Sequence, residues 1–250
     1  MSRRRIAVLA SGGGSNLQAL LDYLAALGEA RAGDVVLVAS NRPDAAALVR
    51  ARDANIPDTV IASARAPGGE PLSTILARAA IDIIVLAGYL QLVPPDVARR
   101  FAGRMLNVHP APLPEFGGVG MYGLRVHHAV LASGAATSGP TVHFVDEQYD
   151  HGVPIAHWPV PVLDGDDKHT LAARVLRAEH LLFPRVVQAV ASGAITLGGG
   201  VTVALALFDP SRDDASLGRL VDQALSLSGV IRPPTLPDTD SITDDAHTCG

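Results

Sequence analysis

The feature that most constrains this chain is an alternation in its N-terminal half, where short apolar runs of β type are separated by segments of helical period. The runs are residues 6–10, 35–40, 59–62, 81–86 and 105–108. They are almost continuously apolar, the pattern of strands covered on both faces and hence of a parallel sheet. Between the first two, Leu17, Leu20, Leu21, Leu24 and Leu27 return at three- and four-residue steps, one stripe of a helix from Ser15 to Leu27. Pro43-Asp44 opens a second helix toward Ala54. Leu72, Ile75, Leu76 and Ala79 mark a third, and Pro94-Pro95 a fourth, since proline is tolerated in a first turn. Strand and helix in regular succession predict an α/β fold with a doubly wound, mostly parallel sheet.

Beyond residue 110 the pattern changes. Residues 124–133 read as a helix, and 141–145 and 153–162 as paired strands around the loop 146–152, so the sheet is expected to become mixed in the C-terminal half. Residues 170–192 have the period of a long helix that Pro184 is expected to kink. A hairpin (194–197 with 201–208) and a short amphipathic helix (217–227) follow. The expectation is one domain over 1–227, with 197–227 a peripheral extension, and a mobile tail over 228–250, which is rich in Asp, Pro, Thr and Ser.

Composition narrows the function. An apolar content of 48% in 250 residues suffices for a sizeable core. A net charge of -5 and only 4% aromatic residues speak against a nucleic-acid surface. No apolar run reaches the roughly 20 residues that cross a bilayer, and the run after Met1-Ser2-Arg3-Arg4-Arg5 is too short for a secretory signal. A cytoplasmic protein with no membrane partner is expected. Cys249 is the single cysteine, which excludes disulfides within the chain and thiolate zinc sites. Lys168 is the only lysine, so there is no Walker loop, and Schiff-base chemistry would rest on that residue alone.

Two stretches carry chemistry. Ser11-Gly12-Gly13-Gly14-Ser15-Asn16 joins the first strand to the first helix, where backbone N–H groups and the helix dipole favour an anion. It is either a phosphate or phosphoribosyl site or a plain connecting turn. A dinucleotide site is disfavoured: Leu17 stands where a third glycine is wanted, and Ser40-Asn41-Arg42 holds no acidic residue. The second stretch, Asn107-Val108-His109-Pro110, ends a strand and is followed by Ala111-Pro112-Leu113-Pro114. Side chains two apart on a strand share a face, so Asn107 and His109 converge, and the prolines stiffen the exit. The alternative for His109 is a core imidazole satisfied by a carbonyl. Asp150, in a Tyr-Asp-His-Gly turn, is by itself an ordinary turn aspartate. His143 is a packed imidazole or a partner of the reacting pair. His127-His128 diverge on a helix and make a poor metal pair, so no metal is expected. Glu179-His180 reads as a solvated pair.

Four separated blocks together resemble the glycinamide ribonucleotide formyltransferases, within the folate-dependent formyltransferase family: residues 10–20, residues 85–90, Met105 through Pro114, and Thr141-Val142-His143-Phe144-Val145 running to Asp150 and Gly152. The resemblance implies transfer of a formyl group from 10-formyltetrahydrofolate, as co-substrate, to the amine of glycinamide ribonucleotide in purine synthesis, by a monomer or homodimer. It implies that Gly14, Ser15 and Asn16 hold the ribonucleotide phosphate and that Glu179 contacts the same substrate. Leu90, Gln91, Leu92 and Val93 would line the folate pocket. Asn107 would bond the formyl oxygen, His109 would act as general acid, and Asp150 would favour protonated His109.

The chemistry asks for such groups. Amine attack on a formyl carbon builds negative charge on oxygen and positive charge on nitrogen, so the site needs a donor at one and a proton route at the other. A carboxylate beside an imidazole favours imidazolium. Three positions depart from the family pattern. Ala111 stands where many members have serine, residues 117–123 are longer and richer in glycine, and the folate-tail arginine has only Arg65 as a counterpart. The rival readings are a formyltetrahydrofolate hydrolase, a formyltransferase for another amine, and a noncatalytic nucleotide-binding module. A hydrolase would usually carry a regulatory domain ahead of the sheet.

Overall fold

The computed structural model describes residues 2–199 and 202–227. The apolar runs form β1 (Arg4–Leu9), β2 (Gly33–Ser40), β3 (Asp58–Val60), β4 (Ile83–Leu86) and β5 (Met105–His109), and the stripes between them form α1 (Ser15–Leu27), α2 (Ala46–Asp53), α3 (Leu72–Arg78) and α4 (Pro95–Arg100). These five strands are parallel, in the order β5-β4-β1-β2-β3. β1 shows why they are apolar throughout. Ile6, Val8 and Ala10 enter one core and Ala7 and Leu9 the other, so both faces are covered. The strand order reverses between β1 and β4, and the crevice beyond their C-terminal ends is where ligands bind in such sheets.

The C-terminal half adds α5 (Leu124–Ser133), β6 (Thr137–Ser138), β7 (Thr141–Phe144), β8 (Pro154–His157), β9 (Val160–Pro161), α6 (Lys168–Ala191), β10 (Val203–Ala204) and α7 (Asp214–Leu227). β7 lies antiparallel to β5 and β8 antiparallel to β7, which makes the sheet mixed. The register matters for the site, because Asn107 faces His143 and His109 faces Thr141.

Three expectations are corrected. The stretch 153–162 is two strands: β8 stays in the main sheet, whereas β9 leaves it to pair with β6. Pro159 and Pro161 have no N–H for a continuing ladder, and Trp158, just before them, is buried. No hairpin forms over the described part of 194–208. The Ala194 and Ile195 amides both bond to Ala189 O at the end of α6, and β10 instead extends the sheet parallel to β8. The long helix starts at Lys168, earlier than expected, because Asp167 caps it: its carboxylate accepts from the His169 and Thr170 amides, both at 2.8 Å. That helix is continuous through Pro184.

α7 packs along α6, with Leu217, Val221 and Leu225 in the core. Arg177 pairs with Asp214 at 2.7 Å and Arg185 with Asp222 at 2.9 Å, and Arg185 lies over the Tyr23 ring. Among the described residues no helix is long and apolar enough to cross a membrane. The expected tail over 228–250 lies outside the described residues.

Candidate active site

A cavity of about 460 Å³ opens at the strand-order reversal. It is lined by Asn16 and Glu179 toward α1 and α6, by Gly88, Tyr89 and Leu90 after β4, and by Asn107, His109 and Asp150 around the end of β5. Six of the residues singled out from the sequence therefore meet in one space. Gly14 and Ser15 lie just outside it, at the start of α1. Gln91 and Leu92 line an adjoining pocket with Ile61, Ser63 and Pro94. Val93 turns its side chain into the core, which leaves only its backbone for contact. Arg65 is exposed and lines neither pocket.

Hydrogen bonds orient the imidazoles. His109 Nε2 lies 2.8 Å from the Phe116 carbonyl, which can only accept, so Nε2 carries a proton, and Nδ1 faces Asp150 Oδ2 at 3.4 Å. His143 Nδ1 donates to its neighbour Phe144 O at 2.8 Å. Its Nε2 lies 3.1 Å from Asn107 Nδ2 and 3.7 Å from Asp150 Oδ1. Asn107 Nδ2 also donates to Asp150 Oδ1, over a longer 3.3 Å. His143 is thus not simply packed: it orients the Asn107 amide.

Asp150 is delivered by the loop between β7 and β8. Its φ is 51°, a left-handed conformation that aspartate tolerates better than most residues, and the Gly118 amide donates to its Oδ2 at 3.1 Å. Gly152 closes the loop against β7, where an added Cβ would fall 1.9 Å from Phe144 O. Burial raises the Asp150 carboxyl, but the His143 and His109 imidazoles and the Gly118 amide outweigh it and hold Asp150 below the usual carboxylate range. Burial lowers His109 below its ordinary value, against the pull of Asp150 and of the Phe116 carbonyl, which both favour the protonated ring.

Glu179 corrects an expectation, being buried rather than solvated. It accepts from Asn16 Nδ2 at 2.7 Å across 163 residues of sequence, and burial pushes it up to about 7 against the lowering effect of Asn16. Ser11 ties the glycine loop to the segment after β4, donating to Asn41 Oδ1 at 2.6 Å and accepting from the Leu90 amide at 2.9 Å. Sequence reasoning missed Arg125, which stacks on the Tyr122 ring at 5.2 Å and lines the cavity with residues 118–123. The glycine-rich run at 117–123 was the available signal.

Fold and site define a class: doubly wound α/β proteins that bring an amide, an imidazole and a carboxylate to the sheet edge beside a glycine loop. The chain belongs to the formyl transferase family, whose model, described as "Formyl transferase", matches residues 4–187. It is 43% identical over 193 residues, 75% of its length, to the chloroplastic phosphoribosylglycinamide formyltransferase of Arabidopsis thaliana. It is 42% identical over 191 residues, again 75% of its length, to the chloroplastic protein of that name from Vigna unguiculata. It spans 65% and 61% of those two relatives, less than two thirds of each. Among solved structures, the phosphoribosylglycinamide formyltransferase of Anaplasma phagocytophilum is similar with a TM-score of 0.70 and 31% identity, over 78% of this chain and 90% of that one.

Proposed function

We propose that this protein transfers the formyl group of 10-formyltetrahydrofolate to the amine of glycinamide ribonucleotide, giving formylglycinamide ribonucleotide and tetrahydrofolate for purine synthesis. The observation that carries the reading is the meeting of Asn107, His109 and Asp150 in a cavity whose other end holds Asn16 and Glu179. Relatives bearing that activity in their names support the choice of amine.

The ribonucleotide phosphate rests on the amides of Gly14, Ser15 and Asn16, and Glu179 contacts the same substrate. The folate lies along Leu90, Gln91, Leu92 and Val93. As the neutral amine attacks the formyl carbon, the oxygen gains charge and takes one Asn107 N–H, displacing the 3.3 Å bond to Asp150 while His143 keeps the other. Such a preplaced donor contributes on the order of 10²–10³ in rate. His109 relays the proton that the amine loses to the folate N10, acting as general acid as the C–N10 bond breaks, a contribution of about 10²–10⁴. Asp150 faces the transient imidazolium. The reaction needs no covalent intermediate and no metal. We take residues 1–227 as one domain, acting in the cytoplasm as a monomer or homodimer.

The deciding assay supplies 10-formyltetrahydrofolate with and without glycinamide ribonucleotide and follows both products. Turnover that requires the amine, with formylated product in equal amount, is expected. Folate consumption independent of the amine would make the protein a hydrolase and overturn the reading.

A further inference from the structure

The glycine loop is held from behind by α2. Ala47 N donates to Gly12 O at 3.1 Å, and Arg50 Nε donates to Gly13 O at 2.8 Å. Two consecutive carbonyls are thereby turned toward α2. In a trans peptide C=O and N–H point in opposite directions, so the Gly13 and Gly14 amides are turned away from α2 together. Consecutive N–H groups on one side form an anion-binding concavity. The fit is close: Gly14 has φ 71°, and an added Cβ would lie 2.9 Å from Ala47 Cα and 3.2 Å from Arg50 Cδ.

The charge of Arg50 is unmatched. Its second bond, Nη1 to Gln18 Oε1 at 3.2 Å, is also to a neutral acceptor. Flanking Arg42 and Arg52 are paired with Asp44 at 3.0 Å and Asp58 at 2.6 Å, whereas Arg50 has no carboxylate partner among the described residues. An independent observation points to a ligand at this end of the cavity. Asn16, only 9% exposed, lines the cavity, and its Oδ1 has no hydrogen-bond partner among the described residues. A sugar phosphate supplies both missing parts, an anion for the loop and a hydroxyl donor for Asn16.

We infer that Arg50 is a positioning residue for the substrate phosphate: it holds the glycine loop with its amides presented and supplies the positive charge the anion needs. This rests on the formyl-transfer reading of the site. The residue acts through the loop rather than on the formyl group, so its effect belongs to phosphate affinity and not to chemistry.

The test compares wild type, Arg50→Met and Arg50→Lys on glycinamide ribonucleotide and on its dephosphorylated ribonucleoside, with melting curves in inorganic phosphate. Losing a charged hydrogen-bond partner corresponds to roughly a ten- to hundredfold weakening. Arg50→Met is expected to raise KM for the phosphorylated substrate by that factor, with kcat, the folate KM and the KM for the ribonucleoside little changed. Arg50→Lys, which keeps charge but not the two-pronged grip, should fall between. Equal losses on both substrates, or none, would overturn the inference. Should Arg50→Met not fold, Arg50→Lys carries the same comparison. Phosphate should raise the wild-type melting temperature more than that of either variant, and equal shifts would also overturn it. That arm needs no turnover, so it stands apart from the question of which amine is formylated.

Discussion

Asp150 shows how much a single residue's role depends on its surroundings. Its carboxylate is reached by Asn107, by the Gly118 amide and by ring nitrogens of two imidazoles, within a loop at positive φ. Asp150→Asn keeps the shape but removes the charge that faces His109 during proton transfer. We expect kcat to fall by roughly 10²-fold or more with both ligands still bound, checked by steady-state kinetics and direct binding. His109→Ala should behave alike, and near-normal turnover in either would remove the mechanism. Glu179 gives a pH signature. Its carboxyl is raised from 4.5 to about 7, so the folded protein holds a proton that the unfolded chain releases, and stability is lost as pH rises through that interval. Glu179→Gln should leave stability unchanged near pH 4 and raise it at pH 8, by up to about 3 kcal/mol in the unliganded protein. Urea unfolding at the two values decides it. None of this was legible locally, since nothing in Glu179-His180 announces a partner at Asn16.

At the scale of elements, the site depends on β5, β7 and the loop that follows β7. β5 was readable as a strand ending in prolines, and the two-residue spacing correctly put Asn107 and His109 on one face. That β7 would lie antiparallel with His143 across from Asn107 was not, because register is a property of two strands together. Gly152 is where the loop and β7 touch. Gly152→Ala forces a carbon against Phe144 O, and such overpacking costs about 1–3 kcal/mol. We expect a lowered melting temperature together with a loss of kcat larger than a stability change alone would bring, as Asp150 is displaced. A variant that is destabilised yet fully active would show that the loop does not set the position of Asp150.

Across the whole molecule, the C-terminal stretch extends one of the two cores that cover the sheet. β10 and α7 lie beyond the part matched by the family model, yet Leu217, Val221 and Leu225 are fully buried against the helix that carries Glu179. Leu217→Ala should therefore cost about 2–5 kcal/mol, measured by denaturant unfolding. A change below half a kilocalorie would mean that α7 contributes little to the fold. The alternation of apolar runs and helical stripes determined the doubly wound sheet by itself. It even placed the ends of α1 and α5 at Ser15, Leu27, Leu124 and Ser133, because side-chain periodicity is a local signal that each segment carries alone. Only the tertiary structure decided the split of 153–162 into two strands, the parallel addition of β10, the Asn16–Glu179 contact and the burial of His109 against Asp150 and the Phe116 carbonyl. Each of these arises from burial and pairing between segments far apart in the chain, where the energy belongs to the contact and to neither stretch of sequence.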